Sequence, residues 1–256
     1  MNKLLFPQGR LHIEDGQPVQ EIAFSVCGGR KPAGGWLQMT AEKLPGKPEF
    51  FAADKGLNYY HAAQLSPDKV IGDGDSADPV LWQQAVKSGK AAVFPVNKEK
   101  TDLQLLLGML PPEKLWIFSG IYGGRLDHLL SAFETLGAAA LKENRVIVLA
   151  DEREITVFVP EGVSVEFYPP AEETPVAVSL LAFTEKSKVS VTGTKWQLEE
   201  KELSRDNPYA ISNEMSEAEQ RKDFPHISFT CLAGMTVFYV AGYSWQVYFI
   251  FIMHKE

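Results

Sequence analysis

Acidic residues recur in this chain where short apolar runs end. The run at 50–53 leads into Asp54-Lys55-Gly56, and Val70-Ile71 leads into Gly72-Asp73-Gly74-Asp75-Ser76. The run at 91–96 is followed by Thr101-Asp102, and the run at 115–118 by Gly123-Gly124-Arg125-Leu126-Asp127-His128. In an extended segment, residues two apart share a side at a spacing of roughly 6–7 Å. Asp73 and Asp75 in that arrangement can hold one Mg²⁺ or share two, since magnesium takes few protein carboxylates and completes its octahedron with water and phosphate oxygens. The same residues are also ordinary turn formers. Gly123-Gly124-Arg125 at a helix start offers backbone N–H groups and a bidentate donor for phosphate. A plain strand-to-helix turn, with Asp127 complementing the helix dipole, fits it equally. Asp102 reads either as a ligand or as a first-turn acid, and His128 as an ordinary histidine. Neither GxxxxGK[ST] nor GxGxxG occurs, so a nucleotide site here must lean on metal and carboxylates.

These residues need a frame that gathers them. The first half reads as strands at 22–26, 50–53, 70–71, 91–96, 115–118 and 146–149, alternating with helices. Leu103, Leu106, Leu107 and Leu110 recur at helical spacing, with Thr101 and Gln104 as a capping box and Pro111-Pro112 as the stop. A second helix over 126–142 carries Leu126, Leu129, Leu130, Phe133 and Leu141 on one side. This alternation predicts a parallel sheet covered on both faces, whose strand ends would bring the acidic segments to one edge. After Asp151 short alternating segments take over, at 155–159, 163–168, 176–183, 189–191 and 227–231, predicting an antiparallel sandwich or barrel. The stretches 199–206 and 216–223 read as solvated loops.

The expected fold class is α/β plus all-β. It consists of an N-terminal parallel-sheet, three-layer domain over 1–151 and an antiparallel β-sandwich over 152–256. Hydrophobic content of 45% and charged content of 23% suit a folded chain of 256 residues. With 33 acidic and 25 basic residues the net charge is -8, so no overall field draws a polyanion and nucleic acid is not an expected partner. Cys27 and Cys231 stand far apart and outside any CxxC pair, which argues against structural zinc and for a reduced, cytoplasmic setting. Residues 1–10 lack the apolar run of a signal peptide. The apolar stretch 247–253 is too short for a bilayer, which needs roughly 20 residues; it reads as a final buried strand.

Taken together, the motifs resemble the thiamine pyrophosphokinase family. That family carries a DGG-like segment, a GDFDS-like segment, a TD pair and GGRxDH in this order. Here they stand as Asp54-Lys55-Gly56, Gly72-Asp73-Gly74-Asp75-Ser76, Thr101-Asp102 and Gly123-Gly124-Arg125-Leu126-Asp127-His128. The family's GLKW-like and SN(E) segments appear as Gly193-Thr194-Lys195-Trp196 and Ser212-Asn213-Glu214. Lys55 stands where the family usually has Gly, Gly74 where it usually has Phe, and Glu99 where bacterial members often have Asp. The resemblance implies a two-domain homodimer that binds ATP and Mg²⁺ and passes a pyrophosphoryl group to the hydroxyl of thiamine, releasing AMP. It implies Asp73, Asp75 and Asp102 at the metal, and Arg125 and Asp127 at the phosphates and the attacking hydroxyl. Asp54, Asn58, Thr101, Gly123 and Gly124 would lie with Arg125 at the nucleotide. Trp196, Ser212 and Asn213 would lie at thiamine, near the subunit interface.

Two other classes share the acidic pattern. A metal-dependent phosphohydrolase would add His ligands to the cluster, and a nucleotide sensor would keep Arg and Gly without so many acids.

Overall fold

The structure is a computed structural model that describes residues 1–18, 20–170, 174–175 and 177–242. Strands β1 (Asn2–Phe6) and β2 (Gly9–Glu14) open the chain. An alternating region follows: β3 (Ile22–Val26), α1 (Gly34–Lys43), β4 (Glu49–Ala53), α2 (Gly56–Ala62), β5 (Lys69–Gly72), α3 (Pro79–Lys87) and β6 (Ala91–Val93). It continues with α4 (Asp102–Leu107), β7 (Leu115–Ser119), α5 (Leu126–Glu143) and β8 (Ile147–Ala150). The rest is mostly strand: β9 (Glu154–Pro160), β10 (Ser164–Tyr168), β11 (Ala177–Ala182), β12 (Lys186–Thr192), β13 (Leu198–Ser204), β14 (Ile227–Ala233) and β15 (Met235–Ala241). One short helix, α6 (Glu217–Gln220), falls inside the expected loop at 216–223. The expected strand at 247–253 lies outside the described residues, as does Val176.

Six strands, β8-β7-β3-β4-β5-β6, pair in parallel as the βα alternation demands. All but the edge strand β6 are buried on both faces, so their successive residues serve different cores. Phe24, Val26, Ala52 and Val70 pack with Trp36 and Leu37 of α1 and Tyr60 of α2. Ala23, Phe51, Ile71 and Phe118 pack with Leu106 of α4 and Leu136 and Ala140 of α5. Helices therefore cover both faces. The capping box at Thr101 and Gln104 forms with both of its hydrogen bonds. In α5 the buried stripe differs from the expected one. Leu136, Gly137 and Ala140 are buried, while Leu126 and Leu130 are exposed at 68% and 57%.

The same sheet continues past β8 through antiparallel β9, β15 and β11 to nine strands. A second, six-stranded antiparallel sheet, β1-β2-β10-β14-β12-β13, packs against this extension. Phe229 of β14 stacks on Phe238 of β15 with ring centroids 5.6 Å apart. The opening hairpin, counted within the expected unit over 1–151, lies in this second sheet, where β2 pairs with β10. Its alternating Leu4, Phe6, Leu11 and Ile13 are buried there with Val165 and Phe167, a face only another period-two strand can match. The charged stretch at 199–206, expected as a loop, is mostly strand β13, on the sheet's edge. Glu200 and Glu202 pair across to Lys188 and Lys186 at 2.6 and 2.7 Å. Edge strands carry such charge because it deters pairing with other chains.

The start of α2 is held by a very close approach. A Cβ on Gly56 would lie 1.9 Å from the carbonyl oxygen of Val26. Gly56→Ala is expected to push α2 and Asp54 away from β3 and to cost about 1–3 kcal/mol, as overpacking typically does. A lowered melting midpoint checks this; an unchanged one contradicts the packing described.

Candidate active site

Strand order reverses between β3 and β7, since β3 leads outward through β4, β5 and β6 while β7 and β8 lie on its other side. Ligands in such sheets bind at the carboxyl ends of the strands beside that reversal. Here the loops after β3, β4, β5, β6 and β7 line one cavity of about 740 Å³, a size that suits a small-molecule site. The two loops at the reversal are bound together. Gly29 N–H donates to the Gly120 carbonyl at 2.7 Å and Cys27 N–H to the Ser119 carbonyl at 2.9 Å. A Cβ on Gly29 would sit 2.6 Å from that Gly120 oxygen, so only glycine lets the loops meet. Arg30 anchors them from behind through the buried Asp151 at 2.5 Å and through Glu154. Burial pushes the Asp151 carboxyl up to about 6, against the pull of Arg30.

The acidic segments meet at the cavity. Asp54, Asp73 and Asp75 each bring a carboxylate oxygen within 4.8 Å of the others. Asp54 is buried and held at φ 44, a conformation few side chains adopt without support. Gly72 makes room for it, because a Cβ there would lie 3.1 Å from the Asp54 Cβ. Ser76 Oγ donates to Asp54 Oδ2, whereas Asp54 Oδ1 is buried with no hydrogen-bond donor among the described residues. Asp75 N–H donates to Asp73 Oδ1 at 3.1 Å, closing the turn. Burial, with Asp73 and Asp54 alongside, raises the Asp75 carboxyl above its ordinary range. The ammonium of Lys98 holds Asp73 below it. That lysine lies 2.5 Å from Asp73 Oδ2 and 3.2 Å from Asp102 Oδ1, so Asp102 joins the group through Lys98. Burial raises the Asp102 carboxyl, with Lys98 opposing. A set of crowded oxygen donors, one of them buried and unpartnered, fits a hard divalent cation such as Mg²⁺.

Other expected residues divide between the cavity and its surroundings. Asp54, Lys55, Thr101, Gly123, Gly124 and Arg125 line it, together with Gly28, Gly29 and Lys98, which the sequence motifs did not single out. Arg125 and Asp127 form a two-pronged pair at 3.1 and 2.6 Å, and both are exposed. Asn58 is drawn elsewhere: its Oδ1 accepts from the Asp78 N–H at 2.8 Å and braces the start of α3. Trp196, Ser212 and Asn213 do not line this cavity. The Asn213 amide clamps the Trp196 backbone, accepting from its N–H at 3.1 Å and donating to its carbonyl at 2.7 Å. Trp196 is left 56% exposed, with Lys195 Nζ 4.7 Å from its ring centroid.

Residues 45–149 match the model of the thiamin pyrophosphokinase catalytic domain, and residues 164–222 match that of the thiamin pyrophosphokinase vitamin B1 binding domain. The chain belongs to the thiamin pyrophosphokinase family. Membership makes it an enzyme of the transferase class. The thiamine pyrophosphokinase of Bacillus subtilis (strain 168) is 27% identical over 171 residues, 65% of this chain and 78% of that protein. The crystal structure of thiamine pyrophosphokinase from Bacillus subtilis shares the fold with a TM-score of 0.67 at 23% identity, covering 88% of this chain and 100% of that one. Thiamin pyrophosphokinase from Candida albicans shares it with a TM-score of 0.66 at 12% identity, covering 88% and 94%.

The departure from the family pattern at Gly74 has a visible cause. Gly74 has φ 79, and a Cβ there would lie 2.5 Å from the indole of Trp82 in α3. The indole fills the space a larger residue would need. Gly74→Phe, although it restores the family's usual residue, is therefore expected to lower stability by about 1–3 kcal/mol and to reduce activity. Melting and turnover measured together check this; a gain in both would contradict it.

Proposed function

We propose that this protein transfers the pyrophosphoryl group of ATP to the hydroxyl of thiamine, giving thiamine diphosphate and AMP. One observation carries the reading: in a chain of this family, Asp54, Asp73 and Asp75 cluster at the edge of the cavity beside the reversal of strand order, and Asp54 and Asp75 line it. The thiamine oxygen bonds to the β-phosphorus, the bond from that phosphorus to the bridging oxygen breaks, AMP leaves with that oxygen, and the hydroxyl proton is lost. Mg²⁺ would be held by Asp73 and Asp75, with Asp102 and the nearby Asp54 as further oxygen donors, and would neutralise charge on the phosphates. The chain's own part is mainly positioning, as in phosphoryl transfer generally. Gly123 and Gly124 let the phosphates approach backbone, and Arg125 supplies a bidentate donor. Thr101 lies beside them. Asp127 orients Arg125 in the free protein and faces the attacking hydroxyl in the complex.

The reading divides the chain into a three-layer nucleotide- and metal-binding domain over 1–151 and a β-sandwich domain over 152–256. Helices on both faces of the parallel strands and the stacking of Phe229 on Phe238 support that division, with the opening hairpin lent to the sandwich. Trp196 would stack on thiamine while Ser212 and Asn213 shape the pocket, across the interface of a homodimer in the cytoplasm. The separation of these residues from the aspartate cavity and the exposure of Leu126 and Leu130 support a partner subunit. Among the described residues no helix is long and apolar enough to cross a membrane.

AMP formation tests the reaction. AMP is expected only when ATP, Mg²⁺ and thiamine are all present; AMP without thiamine would indicate a hydrolase instead. Asp73→Asn and Asp75→Asn are expected to lose about 3–4 kcal/mol of transition-state stabilisation, as removal of one such electrostatic contact often does, with melting unchanged. Near-normal turnover of both at saturating Mg²⁺ would contradict the metal assignment. Trp196→Ala should raise the thiamine requirement far more than the ATP requirement, because stacking and cation–π attraction are worth about 0.5–2 kcal/mol. Mixing it with Asp73→Asn should restore activity, since one site of the mixed dimer receives both intact residues. No recovery in mixtures shown to exchange subunits would place the pocket within one chain.

A further inference from the structure

Lys98 occupies a position that the expected chemistry leaves unexplained. Its side chain is only 14% exposed, and its ammonium sits between two carboxylates, Asp73 at 2.5 Å and Asp102 at 3.2 Å. Both oxygens of Asp73 are thereby engaged, Oδ2 by Lys98 and Oδ1 by the N–H of Asp75. Yet Asp73 belongs to the oxygen cluster that fits a divalent ion, and Lys98 itself lines the cavity. A bare cation entering that cluster meets an ammonium of like charge and a carboxylate already taken. A nucleotide brings the missing acceptors, since polyphosphate oxygens bind an ammonium readily and a lysine's four-carbon stem lets it swing.

We infer that Lys98 couples divalent-cation binding to nucleotide binding: it holds Asp73 and Asp102 in the free protein and turns to a polyphosphate oxygen in the complex, releasing Asp73 to the metal. The inference rests on the reading of this cavity as a metal–nucleotide site. Lys98 is then a ligand of the nucleotide and a competitor of the free ion, two roles that a lysine merely bracing the loop would not combine. Removing the lysine takes away the competitor of the free ion and a ligand of the nucleotide, so the two separate affinities move in opposite directions.

The test uses the full chain, Mn²⁺, and an ATP analogue with a methylene between the α- and β-phosphates, which cannot be cleaved there. Mn²⁺ binding without nucleotide, read by the electron paramagnetic resonance of the free ion, is expected to tighten roughly tenfold in Lys98→Met, within the range usual for coupled sites. Analogue binding without metal is expected to weaken by a similar factor. Lys98→Arg keeps a cation against Asp73, so it should show no tightening, and it serves the comparison if the Met variant folds poorly. Mn²⁺ affinity that is unchanged or weaker in Lys98→Met overturns the inference, as does tighter Mn²⁺ binding in Lys98→Arg. Absence of Mn²⁺ binding by the wild type and both variants overturns it together with the metal site. Thiamine-dependent AMP release by the wild type, alongside unchanged Mn²⁺ affinity in Lys98→Met, would sink the role of Lys98 and leave the reaction standing.

Discussion

Carboxylates brought within 4.8 Å of one another repel, and Asp54, Asp73 and Asp75 are held that close by backbone that cannot easily relax. Asp54 sits in a left-handed conformation fixed at the entry to α2, and Asp73 is tied into a turn by the N–H of Asp75. Such crowding persists only where the surrounding fold over-determines it. The close seat of Gly56 on β3, the room left by Gly72 beside Asp54 and the indole of Trp82 against Gly74 are the fold's means of doing so. Lys98 offsets part of the charge from one side, and the unpartnered Asp54 Oδ1 remains open to a cation.

From that constraint the rest of the architecture follows in order. The parallel strands deliver their acidic ends to one edge, and the reversal between β3 and β7 opens a cleft there, walled by the two glycine loops. Arg30, Asp151 and Glu154 lock those loops to the turn between β8 and β9, and so to the antiparallel strands that continue the same sheet. The cavity at the strand ends and the strand-rich half are therefore one continuous piece of hydrogen-bonded structure.

Much of this was legible in the sequence because the signals are local. Capping of α4 by Thr101, the parallel strands and the acidic ends after β4 and β5 each depend on residues a few positions apart. What escaped depends on distant partners. Lys98 matters through Asp73, 25 residues away, and nothing beside it in the chain announces that pairing. Gly29 matters because of the carbonyl of Gly120. The opening hairpin finds its neighbour in β10, and β13 reads as a loop because its charges are answered only across the strand, by Lys186 and Lys188. Asn58 and Asn213, which the resemblance places at nucleotide and thiamine, also spend side-chain hydrogen bonds on backbone that the sequence does not announce: Asn58 braces α3 and Asn213 clamps Trp196.

On the proposed reading, metal and nucleotide meet at the aspartate cluster at the strand ends. Anomalous scattering from crystals grown with Mn²⁺ and the uncleavable ATP analogue tests it most directly. A manganese peak is expected among the carboxylates of Asp54, Asp73 and Asp75, with the polyphosphate beside Gly123 and Gly124. A peak elsewhere on the molecule, or nucleotide bound with these carboxylates bare, would contradict it.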